Sequence, residues 1–162
     1  MADRPAIVST AFYKNPLAAI RWLEAAFGFE TTVLLTDADG NLGHAEMEFR
    51  GCPVSIGGEF GGDLLGGAQM KSPENLGGCG TQFMRVELAE GLDEHCERAR
   101  AAGARITAEP QTQFYGARVY RAMDLEGHIW NFNQTVAQVS NEEMERASGL
   151  KFATSREGVG RG

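Results

Sequence analysis

The sequence predicts an α+β fold built from two βαβββ modules, and three observations carry that prediction. The order strand, helix, three strand-like runs occurs twice along the 162 residues. The glycines that end the two helices, Gly28 and Gly103, stand 75 positions apart, and the same offset carries the Arg50-Gly51 turn onto Leu125-Glu126. Near the end of the second unit, Tyr115–Gln134 consists of two extended stretches around an acidic-glycine turn, Asp124-Leu125-Glu126-Gly127. There the alternation Arg118/Tyr120, then Trp130/Phe132, suits strands with two unlike faces.

In the first module (residues 1–57), Ala6–Phe12 is a β-rich run and Asn15-Pro16 opens a helix. Asparagine is a strong N-cap, and proline at the first helical position gives up an amide that has no partner there. Leu17, Ile20, Leu23 and Phe27 form an apolar stripe at helical spacing, and Gly28 suits the left-handed position that ends a helix. Strands follow at Phe29–Leu35, Leu42–Phe49 and Pro53–Gly57, with a turn at Asp37–Gly40. Residues 58–79 form a connector marked by glycine pairs between Gly57 and Gly78. It is either a flexible link or a flap over a cleft; no Gly-Lys-Ser/Thr follows, so it is not a phosphate loop. The second module (80–134) repeats the order with Thr81–Leu88, a helix over Leu92–Ala102, then Ala104–Glu109, Gly116–Met123 and His128–Asn133. In 135–162, Ser140 and Glu143 form a capping box that starts a short helix, and Lys151–Gly162 is a polar tail.

Charge and composition narrow the function classes. A net charge of -7 without a Lys/Arg run disfavours nucleic acid and anionic membrane, and suits a cationic guest. No apolar stretch approaches a membrane span, and the N-terminus lacks a signal-peptide pattern. Cys52, Cys79 and Cys96 are odd in number and form no Cys-x-x-Cys pair, which fits a reducing cytoplasm. The expectation is a cytoplasmic protein.

The Tyr115–Gln134 segment resembles the closing hairpin of the vicinal oxygen chelate superfamily, the group of glyoxalases, bleomycin-resistance proteins and extradiol dioxygenases. The resemblance covers residues 6–134 and is nearest the bleomycin-resistance-like branch. It implies a curved mixed sheet with a central cleft, and commonly a homodimer. It also implies metal ligands on the first and last strands of each module, where a divalent ion polarises a pair of substrate oxygens. Aligned on the helix starts, those positions hold Val8, Ile56, Thr81 and Asn131. None of the four side chains can hold a divalent ion against its hydration.

The expected function is therefore capture of a small organic molecule without metal or other cofactor. Candidate ligand-binding residues are His44, Arg118, Tyr120, Trp130 and Asn131. Two alternatives stand beside it: a divalent-metal lyase, isomerase or dioxygenase with a relocated site at His44 and Glu46, and a structural protein with a vestigial cleft. His95, between Glu94 and Glu97, is expected on an exposed helix face.

Overall fold

The computed structural model describes residues 5–155. The first module comprises β1 (Thr10–Tyr13), α1 (Pro16–Phe27), β2 (Glu30–Thr36), β3 (Leu42–Phe49) and β4 (Cys52–Gly58). The connector holds the two-residue strands β5 (Phe60–Gly61) and β6 (Gln69–Met70), with two short 3-10 turns. The second module comprises β7 (Phe83–Leu88), α2 (Leu92–Ala101), β8 (Arg105–Thr112), β9 (Ala117–Met123) and β10 (Ile129–Thr135), followed by α3 (Asn141–Ser148). The two main sheets have the same topology, β1-β4-β3-β2 and β7-β10-β9-β8. In each, the first and last strands pair in parallel and the remaining pairs are antiparallel.

Local chemistry accounts for the element ends. The Asn15 side chain accepts a hydrogen bond from the Ala18 amide (3.2 Å), and Gly28 closes α1 with φ 75°. Arg50 and Gly51 take φ 52° and 76° between the paired residues Phe49 and Cys52. A two-residue hairpin needs positive φ at both positions to match strand twist, so a non-glycine residue tolerates the left-handed region at Arg50. Ser140 and Glu143 form the expected capping box.

One continuous core joins the modules. Ala45, Met47 and Ile56 of the first sheet share it with Tyr120, Trp130 and Phe132 of the second. Phe27, at the end of α1, sits at its centre, with ring centroids 5.6 Å from Trp130 and 4.8 Å from Phe132.

A polar clasp backs this core. Asp124 accepts from the Tyr13 hydroxyl (2.6 Å), Trp130 Nε1 (3.0 Å) and the amides of Glu126 and His128 (3.0 Å each). Burial first, and then the charge of Asp124, hold the Tyr13 phenol well above its ordinary pKa. The Glu126 carboxylate accepts from the amides of Lys14 (2.6 Å) and Asn15 (2.9 Å), just ahead of α1. The acidic-glycine turn of the second module thus ties down the helix start of the first.

Two expectations need correction. The first strand starts at Thr10, not Ala6, because nothing buries Ile7, which is 88% exposed. His95 is half-buried between the modules rather than on a solvated face. Its Nε2 lies 2.9 Å from the Phe27 carbonyl, which can only accept, so Nε2 carries the proton and Nδ1 accepts from the Tyr120 hydroxyl at 2.6 Å. Burial lowers the His95 pKa accordingly. Within the connector the Glu59 carboxylate accepts from the Ser72 amide (2.9 Å) and the Asn75 side chain, and the Glu74 amide ties it to the body by donating to the Glu126 carbonyl (3.0 Å). Residues 156–162 of the expected tail lie outside the described residues.

Candidate functional site: a cavity at the seam between the sheets

Strand alternation gives each sheet a core face and a free face. In the first sheet, Ala45, Met47, Val54 and Ile56 enter the core. His44, Glu46 and Glu48 therefore lie on the free face, where Ser55 pairs with Glu46. In the second, Phe83, Arg85, Arg121 and Asn131 occupy the free face; Asn131 stands opposite Arg121 on β9 and Arg85 on β7.

The sheets do not merge along their edges. Near the start of β7, Gln82 Nε2 donates to the Thr10 carbonyl, and at its far end Arg50 Nη1 donates to the Glu87 carbonyl (3.1 Å). Between these clasps opens a cavity of about 630 Å³. Phe29, Phe49 and Trp130 form an aromatic wall, with Phe29 5.3 Å from each of the other two rings. Val86, Phe83 and Arg85 reach it from β7. The volume falls within the usual range for a small-molecule pocket, roughly 300–1,000 Å³.

The free face of the second sheet carries a distinct polar arrangement. Arg121 Nε donates to Asn131 Oδ1 at 2.9 Å, and the guanidinium lies 5.7 Å from the centre of the Phe83 ring. Asn131 is only 6% exposed. Arg85 is paired with Glu87, its Nε 2.7 Å from the carboxylate.

The five candidate ligand-binding residues are separated by this geometry. Trp130 lines the cavity, while Asn131 faces the other side of β10. Arg118 is held by Asp93 of α2 in a bidentate pair (2.6 and 2.8 Å), which lowers the Asp93 pKa. Tyr120 is fully buried against His95. His44 remains exposed on the first sheet, 3.4 Å from Glu46. Sequence reasoning overlooked Arg121 and the seam. A four-residue turn at Asp124–Gly127 would set Arg121 opposite Trp130; the strands are joined by the three residues 125–127 instead, which pairs Met123 with Ile129 and so Arg121 with Asn131.

The residues present do not fit a divalent ion of the kind many enzymes with this architecture use. Ile56, one of the four aligned positions, belongs to the core, and Val8 and Thr81 precede their strands. Beside them on the free faces of β1, β4 and β7 stand Thr10, Phe12, Ser55, Gly57, Phe83 and Arg85, none an imidazole or a carboxylate, while Glu46 and His44 stand on β3, where Glu46 pairs with Ser55. Among the described residues, no group of three or more His, Cys, Asp or Glu comes together to hold a metal. At Asn131 a guanidinium already binds the amide oxygen.

Comparisons with known proteins agree with the architecture. Residues 7–132 match the Glyoxalase/Bleomycin resistance protein/Dioxygenase superfamily. An uncharacterized protein of Mycobacterium bovis is 27% identical over 143 residues, spanning 88% of this chain and 91% of that one. The crystal structure of TioX from Micromonospora sp. ML1 aligns with a TM-score of 0.59 at 30% identity, covering 82% of this chain and 99% of that one. The fosfomycin resistance protein FosX of Listeria monocytogenes, complexed with Mn(II) and sulfate, aligns with a TM-score of 0.58 at 17% identity, covering 88% and 97%. That last likeness is one of fold. With the duplicated strand order, the continuous core and the match over most of its length, the chain belongs to the glyoxalase/bleomycin resistance protein/dioxygenase superfamily.

Proposed function

We propose that this protein captures a small organic molecule with an apolar or aromatic body in the seam cavity, without a divalent ion. The observation that carries the reading is the cavity itself, walled by Phe29, Phe49 and Trp130 and edged by the polar side chains Ser9, Arg50, Gln82, Arg85 and Glu87. Such a pocket binds by burying apolar area and uses polar groups for orientation. The donor set described above supports a metal-free mode. Fold alone would not decide the function, because the same scaffold hosts binding proteins and enzymes.

The test uses Trp130 as reporter. In a Trp22→Phe variant, where Trp130 is the remaining indole, 2-naphthamide is expected to change the emission saturably. No change at any soluble concentration would reject the cavity as the site. Elemental analysis of protein prepared without chelators should find no stoichiometric divalent metal. About one metal per chain, lost in His44→Ala, would instead favour an enzyme using the His44–Glu46 pair, whose 3.4 Å approach is its structural support.

The same reading includes a homodimer. The free faces leave Leu35 58% and Phe83 59% exposed, and apolar strand surface of this kind invites association. Light scattering at micromolar concentration should report twice the chain mass; a monomer across that range would refute the pairing.

A further inference from the structure

The free-face corner formed by Arg121, Asn131 and Phe83 has an unusual balance of hydrogen-bonding groups. Asn131 brings one acceptor oxygen and two donor hydrogens, and Arg121 brings donors only. The acceptor is already used, since Asn131 Oδ1 receives Arg121 Nε. Among the described residues, the Asn131 amide nitrogen and both terminal nitrogens of Arg121 make no hydrogen bond within the protein. No carboxylate among the described residues pairs with Arg121, whereas neighbouring Arg85 is occupied by Glu87. What this corner offers a ligand is therefore donors from two side chains and one uncompensated positive charge. Neither Arg121 nor Asn131 lines the cavity, but its free-face end adjoins them: Phe83 lines that end and carries the Arg121 guanidinium, and Arg85 lines it beside Asn131.

We propose that the site selects an aromatic carboxylate, its ring system in the Phe83–Arg85 end of the seam cavity and its carboxylate on Arg121 and the Asn131 amide. This rests on the cavity reading above and adds the charge of the guest. It reverses the preference for a cationic guest suggested by the net charge of -7, because the field at a site is set by the groups nearest it. Guanidinium suits the role: its planar fork matches a carboxylate with two parallel bonds, while an ammonium offers a point charge. Holding Arg121 by its Nε against Asn131, and by its face near Phe83, leaves the terminal fork to meet the ligand.

The experiment compares 2-naphthoate with its neutral isostere 2-naphthamide by titration calorimetry on the full-length protein. Naphthoate is expected to bind at least about ten-fold more tightly, with the advantage shrinking as salt rises. Arg121→Gln should remove that advantage, weakening 2-naphthoate far more than 2-naphthamide; Arg121→Lys should restore part of it. Asn131→Asp, which replaces donors with a competing carboxylate, provides a second variant should Arg121→Gln fail to fold, and should also abolish the preference. Equal binding of the two probes to the natural protein, or a preference that survives in a folded variant, overturns this inference alone. Binding of neither probe overturns it together with the cavity reading.

Discussion

Asp124→Ala is expected to lower stability by about 3–5 kcal/mol, the cost of leaving buried charged or polar partners unsatisfied. The carboxylate is buried and gathers two side-chain and two backbone donors, all within 3.0 Å. Alanine removes the acceptor and strands those donors in a region that water reaches poorly, so the loss exceeds that of one hydrogen bond. Tyr13→Phe removes a single donor while keeping the ring, and should cost about 1.5–3 kcal/mol, the range for a bond to a charged group. Against a total stability of roughly 5–15 kcal/mol, the alanine variant sits near the limit of folding. Urea denaturation measures both. If Asp124→Ala shifts the unfolding free energy by less than Tyr13→Phe does, the clasp does not hold the modules as described.

Phe27→Ala should cost about 3–5 kcal/mol, in the range for emptying a buried aromatic site. The ring is fully buried and meets Trp22 (5.0 Å), Trp130 (5.6 Å) and Phe132 (4.8 Å), so its loss opens a void shared by both modules. The His95 imidazole, 6.2 Å away and nearly parallel, loses a packing face as well. Because Trp130 also lines the seam, the variant should shift tryptophan emission to longer wavelength before global unfolding. Phe27→Leu keeps most of the volume and should recover much of the stability. A variant with unchanged emission and a loss under 1 kcal/mol would mean that the void collapses without cost.

Much of the fold was legible because it rests on local chemistry. Asn15-Pro16 and Gly28 announce α1 through the hydrogen bonds and φ that helix ends require, and β3 spans the expected Leu42–Phe49. Ser140 and Glu143 announce α3 in the same way. The start of β1 was not legible, since β-propensity at Ala6–Ile7 does not show whether anything covers those side chains. His95 was misplaced for a related reason: helix charge suggested water on that side, while its neighbours Phe27 and Tyr120 come from distant parts of the chain. Arg118 likewise looked available until Asp93, 25 residues earlier, closed on it. The seam cavity depends on how one sheet sits against the other, a relation that no spacing within either module encodes. Asn131 was legible as a site position, but its partner required following the hairpin register back to Arg121.

The Glu126 clasp also bears on how the chain is made. Lys14 and Asn15, whose amides it receives, are synthesised 112 and 111 residues before it. At roughly 5–20 residues per second, a ribosome needs about 6–22 s to cover that interval. Throughout it, the nascent first half has Phe27 with no second-half aromatics to cover it and two amides ahead of its helix without their carboxylate. Each new chain therefore passes through a stage in which its own core is exposed to its neighbours on the same message. Chaperone demand and inclusion-body formation should accordingly respond to elongation speed between codons 28 and 126 more than to speed anywhere else in the gene.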